Sequence, residues 1–78
     1  MKKYKKIYFE YYNIGEQDIV LSEVSGKLAV DIHHILPKGR GGKDNIENLI
    51  ALTREEHNYA HKGKLTQDFL QKIHNNNL

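Results

Sequence analysis

Four of the five histidines fall into two pairs, His33-His34 and His57…His61, and a neutral imidazole can both bind a divalent metal and accept a proton near pH 7. His57 and His61 are four residues apart in "TREEHNYAHKG". On a helix they project from one face a single turn apart, as two ligands of one ion require. Alone, that spacing is common on amphipathic surfaces. The doublet adds to it, because neighbours on a strand point to opposite faces, so that one of His33 and His34 can join the helix pair while the other turns elsewhere. The fifth, His74, sits in the polar tail "HNNNL" and reads as a solvated residue.

The elements that must carry these pairs can be traced along the chain. "PKGRGGKDN" holds the only proline and three glycines, so it must be a loop, and "NLIAL" after it suits a return strand. With the apolar stretch around the doublet, it forms a hairpin with a long glycine-rich loop. Thr53 and Glu56 then make an S/T-x-x-E capping box, Arg54 to Lys62 can be helical, and Gly63 is a natural terminator. A second helix is expected from an N-cap at Thr66. Leu65 and Leu70 occupy hydrophobic-staple positions, and Phe69, Leu70 and Ile73 form its buried stripe. Upstream, "KKIYFEYYNIG" is rich in β-formers, and "QDIVLSEVSGKLAVDIHHI" alternates loosely up to a break at Ser25-Gly26. A short N-terminal antiparallel β element is expected there, with Tyr4, Tyr8, Phe9, Tyr11 and Tyr12 as packing residues. The fold class is α+β.

The whole chain limits what else can hold this together. At 78 residues, 38% hydrophobic and 28% charged, it makes one small domain over residues 1–78 with little core. It has no cysteine, which excludes disulfides and thiolate metal sites and leaves imidazole and carboxylate ligands or oligomerisation. No apolar run approaches the roughly 20 residues of a bilayer span, so a soluble, cytoplasmic protein with no membrane role is expected. The net charge of +2 permits an anionic partner without demanding one. The cations cluster: Lys2, Lys3, Lys5 and Lys6 open the chain, Lys38, Arg40 and Lys43 surround the glycine-rich loop, and Lys62 and Lys64 follow His61.

Taken together, "DIHHILPKGRGGKDNIENLIALTREEHNYAH" resembles the HNH endonuclease motif of the ββα-metal nucleases, over about residues 20 to 63. The resemblance rests on the doublet followed by Pro37, on Asn48 in "IENLIAL", and on the pair His57 and His61. It implies a small ββα-metal fold, a hairpin followed by a metal-binding helix, and a metal-dependent endonuclease acting on DNA. It assigns His34 as the general base and His33, His57 and His61 to one divalent ion, Mg2+, Mn2+, Zn2+ or Ni2+. Asn48 resembles the family's central asparagine, whose two-sided amide would tie the loop to the neighbouring strand and keep the base oriented. Lys38, Arg40 and Lys43, with Gly39, Gly41 and Gly42, would meet the DNA backbone. Asp31 could ligate the ion, order His33 from behind, or be a plain hairpin-edge carboxylate. The source implied is bacterial or phage-encoded.

This chain departs from the family in one respect. Many such proteins carry two C-x-x-C knuckles for a structural zinc, and here Ser22-Glu-Val-Ser25 and Thr53-Arg-Glu-Glu56 stand in those places. No structural zinc is expected from that set, and the core is assigned to Ile19, Leu21, Leu28, Ile35, Leu49, Leu52 and the C-terminal helix. A motif this small has few side chains left for base edges, so strong sequence preference would need a homodimer or a larger protein partner. The same histidines would also serve a non-catalytic, metal-stabilised DNA-binding module, which would leave DNA uncut with every metal.

Overall fold

A computed structural model describes residues 1–78. Helix α1 spans Lys3–Tyr11, strand β1 Asp31–His34, strand β2 Leu49–Leu52, helix α2 Arg54–His61 and helix α3 Gln67–Asn77. Two short 3-10 turns, Lys38–Arg40 and Ile46–Asn48, shape the long loop between the strands.

The two strands pair antiparallel with His34 opposite Leu49 and Asp31 opposite Leu52. Every residue of β2 is buried, because both faces of the hairpin are covered. Strand alternation sorts the core into two clusters. Ile32, Leu49 and Ala51 pack with Tyr8 of α1, and Ile35, Ile50 and Leu52 pack with Leu70 of α3. The same alternation sends His34 to the α1 side with Ile32, and Asp31 and His33 to the α2 side. At the loop, a Cβ on Gly42 would lie 1.8 Å from the Leu36 carbonyl oxygen, so only glycine fits where the chain closes back on Leu36. Loop closure therefore requires a glycine at this position.

The expected N-terminal β element is instead the helix α1. β-propensity measures fit to a pleated, half-buried surface, and the aromatic residues here find such a surface from a helix instead. Tyr4, Ile7 and Tyr8 recur at helical spacing and face the hairpin, while Lys2, Lys3, Lys6 and Glu10 remain exposed. The segment after it forms only an isolated bridge, Leu21 with Leu28. Its inward residues are Val20 and Ala29, so Ile19, Leu21 and Leu28, expected in the core, are 70%, 52% and 61% exposed. Only Ile35, Leu49 and Leu52 of the residues assigned to the core outside the C-terminal helix are buried.

Helix α2 begins with the anticipated capping box. Thr53 Oγ1 accepts from the Glu56 amide at 3.1 Å and Glu56 Oε1 accepts from the Thr53 amide at 2.8 Å. The same Glu56 oxygen accepts from Ser22 Oγ at 2.6 Å, joining the segment before the hairpin to the start of α2. Helix α3 is capped by Thr66, whose hydroxyl accepts from the Phe69 amide. Leu70 is buried, but Phe69 is 45% exposed.

The tail residue His74 is fully buried, against the solvated position expected for it. It lies on the inner face of α3 one turn after Leu70, and the helix continues to Asn77. Its Nδ1 meets the Glu23 carboxylate at 2.8 Å and its Nε2 meets the Ile46 carbonyl. Both ring nitrogens face acceptors, so the ring donates twice as an imidazolium. Tyr8 and Asn77 also donate to Glu23. Burial pushes His74 down, yet its bonds to Glu23 and Ile46 and the charges of Glu23 and Glu47 outweigh that and hold its pKa above the usual value. Burial pushes Glu23 up, and the hydrogen bonds from His74, Tyr8 and Asn77 bring it below the ordinary carboxylate range.

Candidate functional site

The structure brings His33, His57 and His61 together at the junction of β1 and α2. Each offers one ring nitrogen, and the three nitrogens lie within 4.8 Å of one another. His57 and His61 stack with centroids 4.6 Å apart and their Nε2 atoms 2.8 Å apart, as their four-residue spacing on α2 dictates. His33 reaches them from the strand, its ring 4.9 Å from that of His57.

Two features leave this set able to hold a metal ion. Burial, followed by the charges of His57, His61 and His34, pushes the His33 pKa down to about 4, so the ring is neutral with a lone pair to give at pH 7. Asp31 Oδ2 lies 2.9 Å from His57 Nδ1, and in the neutral ring that nitrogen carries the proton, leaving Nε2 bare toward His61. Three converging imidazoles, one oriented by a carboxylate, suit a single late first-row divalent cation. Asp31 orders His57 rather than His33. Partial burial pushes its carboxyl up, but the His57 hydrogen bond and charge and the Arg54 guanidinium, 2.9 Å away, hold it below the usual range.

His34 lies on the other strand face and takes no part in that cluster. Its Nε2 is 2.7 Å from Asp44 Oδ1, and Lys38 Nζ is 3.0 Å from the other Asp44 oxygen. The His34 hydrogen bond, then that of Lys38, holds the Asp44 carboxyl below its ordinary value. A carboxylate accepts, so neutral His34 gives it the Nε2 proton and keeps Nδ1 as the acceptor. Asp44 belongs to the site although nothing in the sequence singles it out. No spacing rule links a loop aspartate to a histidine ten residues earlier.

Asn48 is buried at the end of the second 3-10 turn. Its Oδ1 accepts from the Leu36 amide at 2.8 Å, and its Nδ2 donates to the carbonyls of Leu36 and Lys43 at 3.0 and 3.1 Å. The loop that carries Asp44 is thereby pinned to the end of β1. His33, His34, His57 and His61 border one open cleft at the edge of β1, together with Lys38 and Tyr4. Arg40 is exposed on the same loop, and Lys43 borders a different concavity with Asn48 and Gln71. Of the three expected phosphate contacts, only Lys38 borders the cleft.

A hairpin, a long loop and a following helix that together assemble one histidine cluster make up the ββα arrangement of metal-dependent nucleases. The HNH endonuclease family model matches residues 21–63, more than half of the chain, which belongs to that family. Over 58 residues, 74% of its length, the chain is 40% identical to the probable mobile endonuclease E of Enterobacteria phage T4. Over 58 residues it is also 34% identical to the probable mobile endonuclease C of the same phage. The matched part spans 38% of the first relative and 27% of the second. No solved structure matches the chain.

Proposed function

We propose that the chain is the nuclease domain of a metal-dependent, phage-type DNA endonuclease that hydrolyses phosphodiester bonds, with His34 as the general base. The observation that carries this reading is the division of labour across β1. Three imidazoles converge on one side, and a fourth stands apart with its Nε2 held by Asp44. His34 Nδ1 takes a proton from a water as the water oxygen bonds to phosphorus and the bond to the 3′ oxygen breaks. Asp44 keeps the imidazole in the tautomer that can accept and offsets the charge it gains. A divalent ion held by His33, His57 and His61 would supply positive charge beside the phosphate and offset the charge building on the phosphorane and leaving oxygen.

Asn48 acts through the loop: it fixes Leu36 and Lys43, and so the position of Asp44 relative to His34. Lys38 would exchange part of its pairing with Asp44 for a phosphate oxygen, with Arg40 and Lys43 meeting the backbone further along the strand. The phage origin of the relatives supports action on DNA in the host cytoplasm, with sequence preference supplied by a partner or by a second copy. No helix is long and apolar enough to cross a membrane.

The test is incubation of the purified chain with supercoiled plasmid across magnesium, manganese, nickel and zinc, with EDTA as the control. Conversion to nicked or linear DNA that EDTA abolishes supports the reading. DNA bound but left intact with all four metals would favour the non-catalytic binding module.

A further inference from the structure

Helix α1 lies outside residues 21–63, yet it sends one side chain to the cleft. The Tyr4 ring packs against the His34 imidazole with centroids 4.7 Å apart and planes tilted by 59°. Geometry explains why this contact is firm. Tyr4 and Tyr8 are one turn apart on the helix, a rise of ~6 Å, and His34 and Ile32 are two residues apart on the strand, ~6.6 Å. The two spacings match, so seating Tyr8 in the core with Ile32 seats Tyr4 on His34. Tyr8 is itself fixed, 3% exposed and donating to Glu23 at 2.6 Å.

His34 is thus held at two points. Asp44 holds one nitrogen, which fixes the tautomer and one direction in the ring plane, but a single hydrogen bond leaves the imidazole free to swing about that axis. The Tyr4 ring, packed at a tilt against the imidazole, blocks that swing. We infer that Tyr4 is a positioning residue for the reaction, its ring holding the His34 imidazole in the orientation that turns Nδ1 into the cleft. The inference rests on the reading of His34 as base.

The experiment is single-turnover and steady-state cleavage of plasmid by the full chain with saturating metal, comparing wild type with Tyr4→Phe, Tyr4→Leu, Tyr4→Met and His34→Ala. Because the ring is what acts, Tyr4→Phe retains the wild-type rate within about 3-fold, while Tyr4→Leu and Tyr4→Met lose about 10-fold or more in kcat, a cost in keeping with misplacement of a reacting group. KM and zinc affinity stay unchanged in all three Tyr4 variants. Use of two aliphatic variants, each assayed below its melting temperature, separates this from unfolding. Full activity in either folded aliphatic variant overturns the inference. So does a loss in Tyr4→Phe as large as in Tyr4→Leu, or a change confined to KM. If His34→Ala itself keeps the wild-type rate, it is the base reading that fails.

Discussion

His74 Nδ1 and the Glu23 carboxylate meet at 2.8 Å across 51 residues of chain, with the histidine fully buried. The same ring grips the Ile46 carbonyl, in the turn that ends at Asn48. The C-terminal helix is therefore fastened at once to the segment before the hairpin and to the loop that shapes the site. Removing one partner of a buried pair leaves the other charge unmatched at a cost of about 3–5 kcal/mol. His74→Ala should lower the melting temperature by more than about 12 °C in a domain of this size, read by circular dichroism. A shift of only a degree or two would mean that the pair does not fasten the helix.

The pair also sets a pH window. His74 titrates higher in the fold than its unfolded value near 6.5, so its contribution is complete below that pH and is lost as pH rises through the folded value. Glu23 titrates lower than its unfolded value near 4.5, so its contribution is complete above that pH and is lost as pH falls through the folded value. The gap in melting temperature between wild type and His74→Gln should be widest between about 4.5 and 6.5 and narrow on both sides. His33, neutral in both proteins down to about 4, cancels in this difference. A gap that stays constant from pH 4 to 10 would contradict the charged pair.

Much of the site was legible because its residues are placed by local rules. The four-residue spacing of His57 and His61, the Thr53–Glu56 box and the apolar run at Leu49–Leu52 each specify an element from a few neighbouring residues. What escaped depends on contacts distant in the chain. The α1 segment has the composition of a strand, and only the hairpin face that it covers makes it a helix. His74 looks like part of a polar tail until Glu23 and Ile46 surround it, and Ile19, Leu21 and Leu28 look like core although Val20 and Ala29 face inward instead. Asp44 sits among turn residues that would be there in any loop.

One carboxylate oxygen of Glu56 receives both Ser22 Oγ and the Thr53 amide. Glu56→Ala removes half of the capping box and strands a buried hydroxyl, which should cost about 2 kcal/mol. Urea denaturation measures it, and an unchanged midpoint would show that the network adds nothing to the fold.

Asp31 fixes the His57 ring through Nδ1. Asp31→Ala should weaken zinc binding by about 10- to 100-fold while leaving one site per chain, as loss of a ligand's hydrogen-bonding partner does elsewhere. Calorimetric titration of the apo protein reads both quantities. Wild-type affinity in the variant would mean that His57 needs no such support.

The central claim is that the doublet divides its work, with His33 at the ion and His34 at the water. The most direct measurement is the single-turnover rate of plasmid cleavage by His34→Ala at a metal concentration shown by titration to saturate it. His34→Ala should bind zinc as tightly as wild type and cleave at a rate lower by about 100-fold or more, the usual size of a general-base contribution. Cleavage at the wild-type rate, or a loss that appears only together with lost metal, would contradict it.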